Sequence, residues 1–440
     1  MRRLPSVRAR KNYWGNMIKR ILVTMMLLAP IRSSGQQDSI VVPESPALDL
    51  LFLVAEATVN NPEIQEALSH WDAREAEIPA AGALPYPELK FAQEEMPGFN
   101  FGEAMYSRLE LMQTIPFPTK LGSRRTISAV LAEHAHHDHL EKLNEVVSRL
   151  RRAYYELWFT QQSIVLEREN QRLVRQFESI ARTRYAVGEV SQQDVLQAQV
   201  ELAMASRELS SLRQKEMSAK AMLMSILNRN ERDTLGYAVI PETVSFRANL
   251  DSLIGLGLQN RPMLLHDSLS IDERNERAAL AREEYLPDFT FGIERVTSPL
   301  AGFSGWSVRA GITLPFAPWT LAKVSAGVDE ASASVNAARA SYRASRLMVT
   351  ANIKDLYYRA DAFKQQLDLY RAIIIPRARQ RLNLSLASYQ TGRTDFLMLI
   401  DAYRSAVDQT KDYFMTRMNL EQTVADLERE IGLSSLPVSK

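Results

Sequence analysis

His134-Ala135-His136-His137-Asp138-His139 is the densest run of chemically capable side chains in this 440-residue protein. It reads as H-x-H-x-D-H, the kind of string with which metallohydrolases hold zinc and activate a water. Such a string does chemistry only where it leaves a strand and enters a loop, so that its rings converge. Here Ile127, Val130 and Leu131 precede it, and Leu140, Leu143 and Val147 follow, all at helical spacing. Neighbouring helical residues point around the circumference, and downstream only His266 remains. The sequence therefore assigns no catalytic residue, no cofactor and no metal site. The run reads as a solvated cluster on a helix wall, and the protein as a non-enzyme.

The helix bearing that run belongs to a pattern written twice, about two hundred residues apart, and repetition of this kind dictates fold. Asn61-Pro62 and Asn260-Arg261-Pro262 open the copies, and Leu84-Pro85 and Leu286-Pro287 close the helix that follows. Two alternating segments lead to the corners Ile115-Pro116-Phe117-Pro118 and Leu314-Pro315-Phe316-Ala317-Pro318. A long helical pattern then runs to Tyr185 and Gly188, or to Tyr389 and Gly392, and a second helix returns. The predicted organisation is a first repeat over 47–235, an inter-repeat linker over 236–249, a second repeat over 250–433 and a tail over 434–440. The hairpin tips fall near 185–191 and 389–395.

From Thr119 to Tyr185, Gly122 is the sole glycine or proline. Val130, His137, Leu140, Leu143, Val147, Leu150, Tyr154 and Leu157 make a narrow, coiled-coil-like stripe. At 1.5 Å per residue this helix is on the order of 100 Å long. The second copy differs at Ile373-Ile374-Ile375-Pro376, where proline removes a backbone donor and predicts a kink.

Composition narrows the function classes. A net charge of +1 provides no basic field for nucleic acid. The lack of cysteine excludes disulfides, thiolate chemistry and lipid attachment through a thiol. Seventeen glycines point to a mostly helical chain. Met17-Ile18-Lys19-Arg20, the apolar run Ile21 to Ala29, and Ser33-Ser34-Gly35 form a three-part export signal over 1–35, with Met17 as an alternative start. The apolar run is too short for a spanning helix.

Between the Leu-Pro and Pro-Phe signals the period changes to two. Phe289, Phe291 and Ile293, then Trp306, Val308, Ala310, Ile312 and Leu314, alternate with Thr290, Gly292 and Glu294, then Ser307, Arg309, Gly311 and Thr313. In the first copy Met105, Leu109 and Leu111 alternate with Tyr106, Arg108 and Glu110. Strand pairs are expected over about 88–114 and 288–314, each strand about nine residues long, as for a tilted strand crossing a bilayer. Four strands alone would leave open edges in hydrocarbon, so other copies of the chain must close the sheet. The alternative is an exported coiled-coil structural or interaction protein, with ordinary hairpins and no channel.

The duplicated order of helix, Leu-Pro, strand pair, Pro-Phe corner, long helix, Tyr-x-x-Gly and return helix resembles the TolC-like outer membrane efflux proteins over residues 47–433. The most specific segments are Tyr185-Ala-Val-Gly188-Glu-Val-Ser191-Gln-Gln193-Asp194 and Tyr389-Gln-Thr-Gly392-Arg393-Thr394, continuing to Ile400-Asp401-Ala402. The resemblance implies a homotrimer in the outer membrane lipid: a shared twelve-stranded transmembrane β-barrel continued by a periplasmic α-barrel tunnel. It further implies a passive exit duct that docks through a periplasmic adaptor protein onto an inner-membrane pump. Pro87-Glu88-Leu89, Gln93, Met96-Pro97-Gly98 and the stretch from Gln113 to Gly122 look most like the heavy-metal-efflux branch. That branch often carries a lipid-bearing cysteine, which this chain lacks.

By the same resemblance the periplasmic aperture comprises Asp401, Arg393, Thr394, Tyr389, Asp194 and Gln193, with Gly188 and Gly392 at the tip turns and Pro376 at the helix kink. Asp401 matches one of two ring-forming acids, and Met398 stands where the other is expected. Arginine is expected two residues after Gly392, but Arg393 sits one after it and Thr394 takes that place. Asp194 and Tyr389 match a carboxylate–hydroxyl pair between the hairpins. A three-fold ring of Asp401 would repel itself when closed and attract cations.

Overall fold

The computed structural model describes residues 47–95, 104–230, 235–241, 249–298 and 302–432. The export signal over 1–35, the tail over 434–440 and the loop residues 97–100 and 299–301 lie outside them. The first copy comprises β1 (Ala47–Leu48), α1 (Leu50–Asn60), α2 (Pro62–Ala81), β2 (Glu88–Glu94), β3 (Tyr106–Ile115), α3 (Pro118–Ala186) and α4 (Gln192–Leu227). After β4 (Tyr237–Ala238) the second comprises α5 (Leu250–Asn260), α6 (Pro262–Glu283), β5 (Phe289–Ser298), β6 (Phe303–Ile312), α7 (Leu321–Leu369), a π-helical turn (Tyr370–Ile374), α8 (Ile375–Gln390) and α9 (Phe396–Glu430).

Each copy opens one helix earlier than its Asn-Pro signal. Asn61 ends α1 and caps α2: its side-chain oxygen accepts from Glu63 N at 2.9 Å, and Pro62 takes the first turn, where its missing donor costs nothing. The amide of Asn61 also donates to Ile226 O at 2.8 Å, tying the cap to the end of α4. In the second copy Arg261 stands at the cap position and makes no side-chain cap. Its guanidinium instead pairs with Glu430 at 2.5 Å.

The expected inter-repeat linker is not a free connector. β4 pairs in parallel with β1, Ala47 against Tyr237 and Leu48 against Ala238. Tyr154 of α3 donates its hydroxyl to Leu48 O at 3.0 Å and accepts from Val239 N at 2.9 Å. Gln161 Oε1 accepts from Ala238 N at 2.9 Å. Two short strands thus find their backbone partners on the long helix, over a core of Leu53, Ala57, Leu150, Leu157, Leu223 and Leu227.

The second copy docks its own short helix through a glycine. Gly432 follows α9 at φ +75°, and an added Cβ would lie 2.4 Å from Asn260 O. Gly432→Ala is expected to destabilise the fold by more than ~1 kcal/mol, since both the left-handed conformation and the backbone approach exclude a side chain. A lower denaturant midpoint at unchanged slope is the readout, and an unchanged midpoint would refute this docking.

The four long strands form one antiparallel sheet in the order β2-β3-β5-β6, so the two copies meet at β3 and β5. Leu89, Phe91, Leu109, Leu111, Phe291, Ile293, Trp306 and Val308 are exposed on one face. The other face carries charge. Glu110 lies opposite Glu294, a repulsive register, and arginines offset it. Arg309 Nη1 donates to Glu110 at 2.9 Å and Arg108 Nη1 to Glu294 at 3.1 Å. Both outer strands, β2 and β6, have one unpaired edge among the described residues.

Where sheet becomes helix, Lys120 of α3 is almost fully buried, 2% exposed. Its ammonium donates to Asp288 Oδ1 at 2.9 Å and to Leu286 O at 3.0 Å, and lies 3.5 Å from Glu284. Asp288 Oδ1 also accepts from Phe117 N at 3.0 Å. One buried charge therefore clamps the Pro-Phe corner of the first copy to the Leu-Pro corner of the second.

Pro376 sits in the first turn of α8, directly after the π-helical turn. The wider turn relieves the clash that a proline ring makes with the carbonyl four residues back. The interruption predicted on the second hairpin is thus a π turn followed by proline, with no counterpart in α3, which runs unbroken for 69 residues.

Candidate functional site

The two hairpins reverse by the same device. Gly188 and Gly392 take φ +77° and +74°, a conformation costly to residues with a Cβ. Glu189 N returns to Arg184 O and Arg393 N to Ser388 O, each at 2.9 Å, closing the last helical carbonyls. Beneath the turns Phe177, Ala181, Val195, Ala198, Tyr389, Phe396 and Leu399 form a core shared by both hairpins.

Tyr389, 1% exposed, belongs to this core. Its hydroxyl donates to Asp194 Oδ2 at 3.2 Å, joining the second hairpin to the first. Burial, and then the charge of Asp194, push the phenol well above its ordinary range, so it stays a donor. Arg184 completes the contact. It lies over the Tyr389 ring at 5.0 Å, donates to the Tyr389 carbonyl, and donates Nε to Glu189 at 3.0 Å. The φ of Gly392 is what calls for glycine there; an added Cβ would lie 3.1 Å from the tip of the flexible Arg184 side chain, which can give way. Higher up, Arg404 donates to Glu201, which is 6% exposed, and Lys411 donates to Glu208 at 2.9 Å, extending the polar seam between α4 and α9.

The remaining predicted aperture residues are not drawn into this network. Gln193 is exposed on the first turn of α4. Arg393 and Thr394 line an open groove with Arg377, Gln380, Arg381 and Met398. Asp401 is exposed, but Arg381 of α8 donates to its carboxylate at 2.5 Å. The resemblance implies that Asp401 belongs to a three-fold ring of acids. Within the chain, the pairing of α8 with α9 supplies it with a cation, because Arg381 and Asp401 share the facing sides of one hairpin.

Arg184 is the residue that sequence reasoning passed over. A basic side chain in the last turn of a helix has an ordinary explanation in the helix dipole. The available signal was asymmetry between the copies, since Ser388 occupies the equivalent place before Tyr389.

The histidine run lies on α3 against α2 and α6, and all six histidines of the chain fall on these three helices. His134 packs on His266 with ring centroids 4.4 Å apart, although the two are far apart in sequence. His136 packs on Trp71 at the same separation. The five run residues do radiate in different directions, but a trio that overlaps the run converges. Glu133, His136 and His137 each bring one donor atom to within 4.8 Å of the others. Burial, and then the neighbouring His266 or His136, hold the pKa values of His134 and His137 below the usual imidazole range.

Comparison with known proteins fits this architecture. The family model described as outer membrane efflux protein matches residues 53–229 and 253–433, one match for each copy. The chain belongs to the outer membrane efflux protein family. Cobalt-zinc-cadmium resistance protein CzcC of Cupriavidus metallidurans is 21% identical over 388 residues, covering 86% of this chain and 88% of the relative. Among solved structures, the outer-membrane channel OprN superposes with a TM-score of 0.76 at 17% identity, covering 88% of this chain and 91% of that one. CusC, described in terms of folding and transmembrane channel formation, gives 0.74 at 16% identity, covering 87% and 91%. The fold of this efflux-family chain is therefore mostly helical: duplicated long hairpins, with a four-stranded contribution to a membrane β-barrel.

Proposed function

We propose that this chain is the passive exit duct of a tripartite export pump, sitting as a homotrimer in the outer membrane with its helices in the periplasm. The observation that carries the reading is the sheet with two unpaired edges, an apolar outer face and a charged inner face. A bilayer admits such strands only as part of a closed barrel. The helices also support association with other copies. α7 buries only Val335, Val349, Ile353, Ala360 and Leu367 among its 49 residues, and Leu196, Val200 and Met204 of α4 are exposed at helical spacing. These are surfaces that a neighbouring protomer covers. Among the described residues no helix is long and apolar enough to cross a membrane.

The Arg184–Tyr389–Asp194 contact holds the second hairpin against the first and is the latch of the periplasmic aperture. An adaptor protein releases it and an inner-membrane pump drives the cargo. Similarity to a cobalt-zinc-cadmium resistance protein supports metal ions as that cargo. Fractionation of the exported protein, an unheated gel and planar-bilayer recording test the reading together. The expected result is an outer-membrane trimer with low resting conductance. Recovery as a soluble periplasmic monomer would overturn it in favour of an interaction protein.

A further inference from the structure

We propose that Glu133, His136 and His137 form a site for one borderline divalent transition-metal ion, of the zinc and cobalt class, on α3. The proposal rests on donor geometry alone and stands apart from the cargo of the duct. Residues at i, i+3 and i+4 share one helix face. Glu133 Oε1 lies 3.5 Å from His136 Nδ1 and 3.9 Å from His137 Nε2. Donors about 2.0–2.2 Å from a tetrahedral zinc stand roughly 3.3 Å apart, so small side-chain rotations close the trio around an ion. One carboxylate and two imidazoles favour zinc, cobalt, nickel or copper(II) over magnesium and calcium, which prefer all-oxygen sets.

The surroundings pre-organise these donors. The backbone is the interior of a 69-residue helix, so no loop has to order on binding. The Trp71 ring lies against His136 at 4.4 Å and limits its rotation. His134 and His139 face other elements, His134 packing on His266 at 4.4 Å and His139 stacking on Trp71 at 6.3 Å between ring centroids. His266 lies between Asp138, at 3.7 Å, and Asp267, at 3.5 Å. Among the described residues only Glu133, His136 and His137 meet as a group able to hold an ion.

The test uses the full-length protein in detergent. Equilibrium dialysis with zinc is expected to give one ion per chain. Titration with cobalt(II) is expected to give a visible d–d band together with quenching of Trp71 fluorescence. His136→Ala and His137→Ala are each expected to weaken zinc binding by on the order of 100-fold, the upper end of what loss of a mere supporting contact costs. Glu133→Gln should weaken it less, while His70→Ala leaves it unchanged. No zinc bound by the unaltered chain would overturn the site. So would undiminished binding by the His136→Ala/His137→Ala double variant, or loss on His134→Ala or His266→Ala alone. X-ray absorption on the cobalt-loaded unaltered chain guards against a variant that fails to assemble. Two imidazoles in the coordination shell support the site, and a shell without imidazole scattering refutes it.

Discussion

Arg184→Ala is expected to unlatch the second hairpin and, in planar-bilayer recordings, to raise the open population about 10- to 150-fold. The magnitude follows from one hydrogen bond to a charged group, which contributes about 1.5–3 kcal/mol. Arg184 has three simultaneous roles at the tip: cation over the Tyr389 ring, donor to the Tyr389 carbonyl and partner of Glu189. Removing it leaves the Tyr389–Asp194 hydrogen bond as the remaining polar tie at the turn. Tyr389→Phe removes the converse part of the contact, sparing the ring and the arginine, and should give the smaller increase. Arg184→Lys keeps the charge but loses the planar fork and should fall between. Conductance of Arg184→Ala equal to that of the unaltered channel would remove the residue from the gate.

Lys120→Met is expected to cost about 1.5–3 kcal/mol, the usual worth of a hydrogen bond to a charged group, because the lysine is buried while Asp288 keeps contact with water. The methionine fills the volume but leaves Asp288 without its cation and Leu286 O without its donor, while Phe117 N keeps Asp288 as its acceptor. The thermal midpoint of the assembled protein should fall sharply. A midpoint within a degree of the original would show that the clamp contributes nothing. The same contact sets an acid limit. Burial alone would raise the Asp288 carboxyl, but the hydrogen bonds from Lys120 and Phe117 outweigh it and hold its pKa below the ordinary range. A carboxylate depressed in the folded state stabilises fully above its unfolded pKa of about 3.9, and that stability is lost as pH falls through the lower folded value. Acid melts should therefore show this contribution shrinking below about pH 4, and Asp288→Asn should flatten that part of the profile.

The elements of this fold were legible because their signals are periodic and local. The stripe through Leu143, Val147, Leu150, Tyr154 and Leu157 named α3, and these residues are buried or half-buried along it. Alternation at Trp306, Val308, Ala310 and Ile312 named β6, and Gly188 and Gly392 named the turns. The repeat bounds at 47 and 250 took in α1 and α5, but only one helix was read ahead of each strand pair where the fold has two. An 11-residue helix offers too few periodic positions to stand out before a proline.

Of the tip contacts, only the Asp194–Tyr389 pair was legible beforehand, and it came from the family resemblance; the fold brings the two groups to 3.2 Å. The partners of Asp401, Tyr389 and His134 were invisible because Arg381, Arg184 and His266 are joined to them by packing between elements, not by spacing.

By itself the sequence determined that the protein is two imperfect copies of one helical hairpin, and that their strands cannot close a barrel alone. Period, proline and glycine act through the local backbone, and a chain records them in order. The tertiary structure decided which charges are compensated, where the buried lysine clamps the copies, and which donors in and beside a crowded run face one another. Those outcomes depend on helix rotation and register over tens of residues, where one position turns a side chain by about 100°.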